Sequence, residues 1–196
     1  LTVVVATGCG DELTGPTPAL ADGGVLPAEP GWVCRSREET AVLVNGARFA
    51  PVPVGLVDDT RAALPAVTLV QTSSLAGAAI EAGEATRVPY GSEPDEPNAA
   101  LSSWQSQAQM TLLVRPEVDL ADASGAITQG SVPAGLFDLE VANPAGHTAL
   151  APRAVAVVEP PTLGSTSPGI TCVAQGERTV TLSGADFVTV DGAEPA

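Results

Sequence analysis

Residues 30–49 read PGWVCRSREETAVLVNGARF, and 138 positions later residues 168–187 read PGITCVAQGERTVTLSGADF. The two segments align without a gap and share eight of twenty positions: Pro30, Gly31, Cys34, Glu39, Val42, Gly46, Ala47 and Phe49 match Pro168, Gly169, Cys172, Glu177, Val180, Gly184, Ala185 and Phe187. A spaced self-match of this kind marks an internal repeat and constrains the architecture before any single element is assigned. Each copy reads as a Pro-Gly turn, a short strand, a charged turn and an alternating strand. Thr40-Ala41-Val42-Leu43-Val44 is such a strand in the first copy and Thr179-Val180-Thr181-Leu182 in the second. Alternation places Val42 and Val44 on one face, as a half-buried strand requires. Gly46 and Gly184 are expected where the chain bends, and Phe49 and Phe187 as aromatic plugs returned to the core.

Outward from the first copy, the strand pattern continues. Ala66-Val67-Thr68-Leu69-Val70 and Gln109-Met110-Thr111-Leu112-Leu113-Val114 are both bounded by proline. Leu136-Phe137-Asp138-Leu139-Glu140-Val141 puts Phe137, Leu139 and Val141 on an apolar face and Asp138 and Glu140 on a polar one. A turn at Asn143-Pro144-Ala145-Gly146 leads into Arg153-Ala154-Val155-Ala156-Val157-Val158. Six or more such strands separated by turns describe a sandwich. Composition agrees: 18 prolines and 20 glycines against 3% aromatic residues favour short segments joined by turns. The 196 residues and 44% hydrophobic content are enough for one large or two modest domains with a buried core.

The net charge of −15, from 23 acidic and 8 basic residues, opposes affinity for a phosphate backbone, so nucleic acid is not an expected partner. The acidic clusters Asp58-Asp59, Asp95-Glu96 and Asp119 with Asp122 lack the spacing of a calcium loop and read as solvated turns. No metal site and no cofactor are expected. His147, the single histidine, follows the Asn-Pro-Ala-Gly turn without a nucleophile motif and reads as a surface hairpin residue. With no nucleophile elbow, zinc-binding helix or phosphate loop in these residues, the expectation is a non-enzyme.

At the N-terminus, Leu1-Thr2-Val3-Val4-Val5-Ala6-Thr7-Gly8 is apolar and ends in small residues before Cys9, after which Gly10-Asp11-Glu12 is polar. The run reads as the tail of a signal peptide. An ordinary strand with an incidental Cys is the blander alternative. Ala6-Thr7-Gly8-Cys9 resembles the lipobox of bacterial lipoproteins, which implies lipidation of Cys9 and attachment to the membrane of the cell envelope through the lipid. Ala6 departs from the large aliphatic residue usual there. Residues 10–26, rich in Pro, Gly, Thr and Asp without periodicity, read as a flexible tether. No run approaches the roughly 20 apolar residues of a spanning helix. The start at Leu1 and the stop shortly after a strand suggest an internal fragment of a longer protein.

The opening Pro-Gly turn, the strand ending in Val-x-x-x-Gly-Ala-x-Phe and the segment Pro133-Ala134-Gly135-Leu136-Phe137-Asp138-Leu139-Glu140-Val141-Ala142-Asn143-Pro144-Ala145-Gly146 together resemble the IPT/TIG family of immunoglobulin-like domains. Pro160-Pro161-Thr162-Leu163 is similar to the linker between tandem copies. The resemblance implies an all-β chain: an immunoglobulin-like β-sandwich over residues 27–158, then a linker and the N-terminal part of a second, truncated copy over residues 159–196. About 130 residues exceeds the roughly 100 of a plain sandwich. The excess falls at residues 73–107, which contain Tyr90 and Trp104. That stretch reads either as a loosely packed loop or as a recognition loop in which Tyr90 and Trp104 supply contact area. Cys34 and Cys172 hold equivalent positions, so in a linear array they lie too far apart to pair. Cys34 then reads as a buried structural thiol. The expected function is a cell-surface lipoprotein fragment whose repeats bind a glycan or protein ligand; the alternative is a stalk spacing a downstream domain from the membrane.

Overall fold

The structure is a computed structural model that describes residues 16–22, 25–53, 61–144, 146–169, 177 and 179–187. Cys9 and its surroundings, Asp58-Asp59 and Cys172 lie outside the described residues. The described chain is all-β. Its strands are β1 (Ala19–Leu20), β2 (Ala28–Glu29), β3 (Trp32–Cys34), β4 (Thr40–Ala47), β5 (Val52–Pro53), β6 (Ala62–Ala63), β7 (Ala66–Ser73) and β8 (Arg87–Tyr90). After a 3-10 turn at Ala99–Leu101 come β9 (Ser102–Ser106), β10 (Gln109–Val114), β11 (Glu117–Ala121), β12 (Ile127–Ser131), β13 (Gly135–Ala142), β14 (Thr148–Val158), β15 (Thr162–Ser167) and β16 (Thr181–Ala185).

Two sheets close over one core in a sandwich-like arrangement. The smaller runs β1-β4-β10-β9, with β2 also paired to β4; the larger runs β12-β11-β8-β7-β13-β14-β3. Pairing is antiparallel except that β3 lies parallel to β14, Trp32 opposite Ala156 and Cys34 opposite Val158. The alternation expected of the sequence becomes the core. Val42, Val44, Met110 and Leu112 point inward from the smaller sheet, and Val67, Leu69, Phe137, Leu139 and Val141 from the larger. Complete burial of such side chains stabilises by about 1.5–3 kcal/mol each. The outer face of the larger sheet carries Asp138 and Glu140; Asp138 accepts the Arg153 amide at 2.8 Å where β14 bulges. Pro152 sits at that bulge, where a missing donor interrupts no ladder bond.

The Asn-Pro turn after β13 has a long-range task. The buried Asn143 side chain donates to the carbonyls of Pro16 (2.6 Å) and Arg48 (2.9 Å) and accepts the amide of Ala50 (3.1 Å). One amide thus satisfies three backbone groups on two segments and ties the corner after β4 to the opposite sheet. His147 closes the same turn, its carbonyl accepting the Asn143 amide.

Several expectations need correction. The stretch read as a tether contributes β1, with Ala19 opposite Ala47 and Leu20 opposite Gly46, so residues 16–22 belong to the first unit. Gly46 lies within a strand and not at a bend. A Cβ there would strike the Ala19 carbonyl oxygen and the Phe49 ring, so close approach is what requires glycine. The 73–107 stretch is not a loop added to a finished sandwich, because it contains β8 of the larger sheet and β9 of the smaller. Pro89 argues against a strand in sequence terms. Here the Asn98 side chain stands in for ladder bonds: it donates to the carbonyls of Pro89 and Asp119, both at 2.8 Å, and accepts the Asp119 amide at 3.0 Å.

In the second copy, β15 and β16 form a separate two-stranded ladder. Phe187, expected as a core plug, is 53% exposed. Its side chain has no second sheet to enter among the described residues.

Candidate functional site

Tyr90 and Trp104, paired in expectation, part company in the structure. Tyr90 is fully buried on β8, opposite Val67. Burial pushes its phenol upward from the ordinary range, and its hydroxyl has no hydrogen-bond partner among the described residues. It is a core residue and offers no surface to a ligand. The alternation of β8 was the available signal, since Val88 and Tyr90 share a face, but four residues containing a proline make a weak one.

Trp104 does reach the surface, at 36% exposure. It lies opposite Met110 and therefore on the inward side of the smaller sheet, at its rim. Its indole N–H donates to the Phe49 carbonyl at 3.1 Å, fixing the ring over the corner that follows β4. Trp104 is thus half rim of the core and half exposed aromatic surface, with its one polar atom already engaged.

The strand that carries it forms the edge of the sheet. Among the described residues β9 pairs with β10 alone, and Ser103, Trp104, Gln105 and Ser106 are all exposed. On the outer face the Gln105 amide donates to the Ser103 hydroxyl at 3.1 Å. Beyond Ser106 the β9–β10 turn borders an open groove of about 640 Å³ whose walls include Leu20, Asp22, Asn45, Ser106 and Gln109. Gln109 donates to Asn45 Oδ1 at 3.0 Å, and Asn45 donates to the Leu26 carbonyl at 3.1 Å, so these amides are held in place without a ligand. An unpaired edge, a fixed aromatic and a run of hydroxyl and amide side chains are equipped for hydrogen bonding and stacking. They carry no nucleophile with a base beside it.

The acidic turns are internally satisfied. Glu96 accepts the amides of Ser92 (2.6 Å) and Glu93 (3.2 Å). Asp122 accepts the Ser124 hydroxyl at 2.6 Å and the Ala126 amide at 3.0 Å, bonds that hold its carboxyl below the usual range. Among the described residues there is no group of three His, Cys, Asp or Glu side chains able to hold a metal ion. No described helix is long and apolar enough to cross a membrane. Cys34 is half-buried, 3.4 Å from the Ser36 hydroxyl, and is not the buried thiol expected. No family model, curated protein or solved structure matches this chain.

Proposed function

We propose that the chain is a non-catalytic cell-surface lipoprotein fragment, tethered through Cys9, whose tandem immunoglobulin-like repeats of IPT/TIG type bind a glycan or protein ligand. The observation that carries the binding reading is the β9 edge: Trp104 fixed at its rim, Ser103, Gln105 and Ser106 exposed beside it, and no strand beyond it among the described residues. Aromatic rings fixed next to hydroxyl and amide groups give contact area at low entropic cost. An exposed sheet edge supplies main-chain donors and acceptors. The acidic surface disfavours polyanions and leaves neutral or basic ligands. Support for the repeat comes from the shared twenty-residue pattern and from the common register of its two copies, in which Leu20 opposes Gly46 and Ala28 opposes Val44 in the first and Leu163 opposes Gly184 and Thr166 opposes Leu182 in the second. Support for the anchor comes from residues 1–9 of the sequence alone.

The second reading, a stalk, is favoured by the joint between copies. Only Glu159, Pro160 and Pro161 separate β14 from β15, and Glu159 is ion-paired with Arg35. A short, proline-rich joint suits a spacer.

Because 73–107 holds two strands, deleting it would destroy the unit, so point changes are the appropriate test. The full chain and an S103E/Q105E variant, altered only on the outer face, would be passed over glycan arrays and intact cell surfaces. Retention of the parent with at least a tenfold loss in the variant is the result expected of a binding module. No retention of either would leave the stalk as the better reading.

A further inference from the structure

Among the described residues the two sheets of the sandwich end on strands of unequal kind. On one side of the smaller sheet β1 and β2 have two residues each, and on its other side β9 carries a register shift that leaves Gln105 with no residue opposite. At one end of the larger sheet β3 has three residues. Shortness and bulges keep a sheet edge from pairing with another chain, as do charged side chains and proline. β12, at the other end of the larger sheet, has none of these devices. Its five residues, Ile127-Thr128-Gln129-Gly130-Ser131, pair with β11 in unbroken register, from Glu117 opposite Ser131 to Ala121 opposite Ile127. Residues 123–137 contain no charged side chain, in a chain of which 16% is charged. The strand is also open to solvent: Ile127, Thr128, Gln129 and Ser131 are exposed and Gly130 half-buried.

We infer that β12 is a self-association edge: it pairs antiparallel with the β12 of a second copy of this chain, about a two-fold axis at Gln129, and joins the two larger sheets into one. The sequence suits that register. Gln129 falls opposite its own copy, Thr128 opposite Gly130 and Ile127 opposite Ser131, so no charge meets a like charge and a small residue faces each larger one. Val118 is buried in the core and its partner Gly130 lies on the same side, which puts Gln129 on the outer face with Asp119. There each Gln129 amide can donate to and accept from its copy.

Charge decides where two such chains can meet. Each carries −15 and is repelled by its copy over most of its surface. Across the β12 pair, Asp119 faces its copy over three strand spacings, about 14 Å, which exceeds the screening length of about 8 Å at physiological salt. A basic partner would be drawn to the acidic faces and gains nothing at an uncharged edge. A five-residue ladder is short of a stable interface, so the association is weak and concentration-dependent. It rests neither on the lipid anchor nor on the β9 edge.

The test sediments the full 196-residue chain from about 10 µM to about 1 mM, the span of a weak interface, at low and at high salt. A monomer–dimer equilibrium that strengthens with salt is expected, because salt screens the net repulsion. Amide exchange at residues 127–131 should slow as the concentration rises. Gln129→Glu and Gln129→Lys each set like charges face to face at the axis and should weaken dimerisation by at least about tenfold. An equimolar mixture of the two variants should restore it, since the axis then joins a carboxylate to an ammonium. Gln129 is exposed, so both variants should keep the urea transition of the parent. A parent that stays monomeric throughout, a dimer indifferent to both substitutions, or a mixture that fails to associate while the parent dimerises would overturn the proposal. So would a monomeric parent whose β12 amides are protected only on adding an unrelated extended peptide, because a foreign strand would then be the occupant.

Discussion

The corner formed by β4 and Phe49 and the corner formed by β16 and Phe187 share a register, a left-handed residue at matching positions (Arg48 and Asp186, both φ 61°) and a glycine, Gly46 or Gly184, that leaves no room for a Cβ, yet among the described residues one is the centre of a core and the other is open. The comparison separates two things that a single domain always presents together. Strand register and turn geometry arise locally, from alternation, from a glycine that lets a carbonyl approach and from a residue that tolerates positive φ. Burial comes from segments far away in the chain. The first corner needs β10, β13 and Asn143; among the described residues the second has only β15.

The widest gap between the corners should appear on removing the aromatic plug. Phe49→Ala is expected to cost about 3–5 kcal/mol in urea unfolding, the range for emptying a core phenylalanine site. Phe187→Ala should change the same transition by less than about 0.5 kcal/mol, as for an ordinary surface site. Equal losses would break the comparison, because they would mean that the second corner is packed in solution.

The next effect concerns the clamp that, among the described residues, the first corner alone possesses. Asn143→Ala removes three hydrogen bonds and strands the carbonyls of Pro16 and Arg48 and the amide of Ala50. A loss of about 1–3 kcal/mol is expected, together with faster amide exchange in β1. Unchanged exchange there would show that β1 is held by its ladder alone.

Tyr90→Phe should be smaller still. Its hydroxyl is buried without a partner among the described residues, so removing it is expected to alter stability by less than about 1 kcal/mol, in either direction. A larger loss would reveal a partner that the geometry does not show.

The smallest effect is on the β11–β12 turn. The Asp122 carboxyl is held below its ordinary value by the Ser124 hydroxyl, the Ala126 amide and further turn contacts, so the folded state favours the ionised form. Its contribution is complete above the unfolded-state value and is lost as the pH falls through the lowered folded value. Asp122→Ala should therefore flatten the acid limb of the stability profile below about pH 4 and leave the difference between the two corners untouched. Parallel profiles for variant and parent would show that the turn contacts do not persist in solution.

These contrasts also explain how much could be read in advance. β4, β7, β10 and β13 were legible because each alternates over enough residues to define a face, and β14 because its second half is uniformly apolar. The core they form follows from that pattern. β9 was not legible, since Ser102-Ser103-Trp104-Gln105-Ser106 has one apolar residue and owes its extended form to the neighbouring β10. β8 was hidden by Pro89, and its place depends on Asn98, a side chain nine residues on. The candidate site suffered most. A tyrosine and a tryptophan fourteen residues apart look alike in a sequence, but Tyr90 lies opposite Val67 in the interior and Trp104 on an edge. Only pairing partners distinguish them.

The N-terminal strand has a mechanical consequence. A chain held at one end and pulled at the other carries tension through whatever joins its ends to the core. β14 is joined by seven residue pairs to β13 and by the parallel ladder to β3, whereas β1 is joined by two residue pairs, the Ala21 amide on the Asn45 carbonyl and the Asn143 clamp. Under tension the near end gives first. Residues 16–22 would peel away while Ala28 stays paired to Val44, lengthening the chain by about 3.3–3.6 Å for each residue freed before the sheets are disturbed. That order of yielding would make residues 16–22 an extensible leader of the first unit.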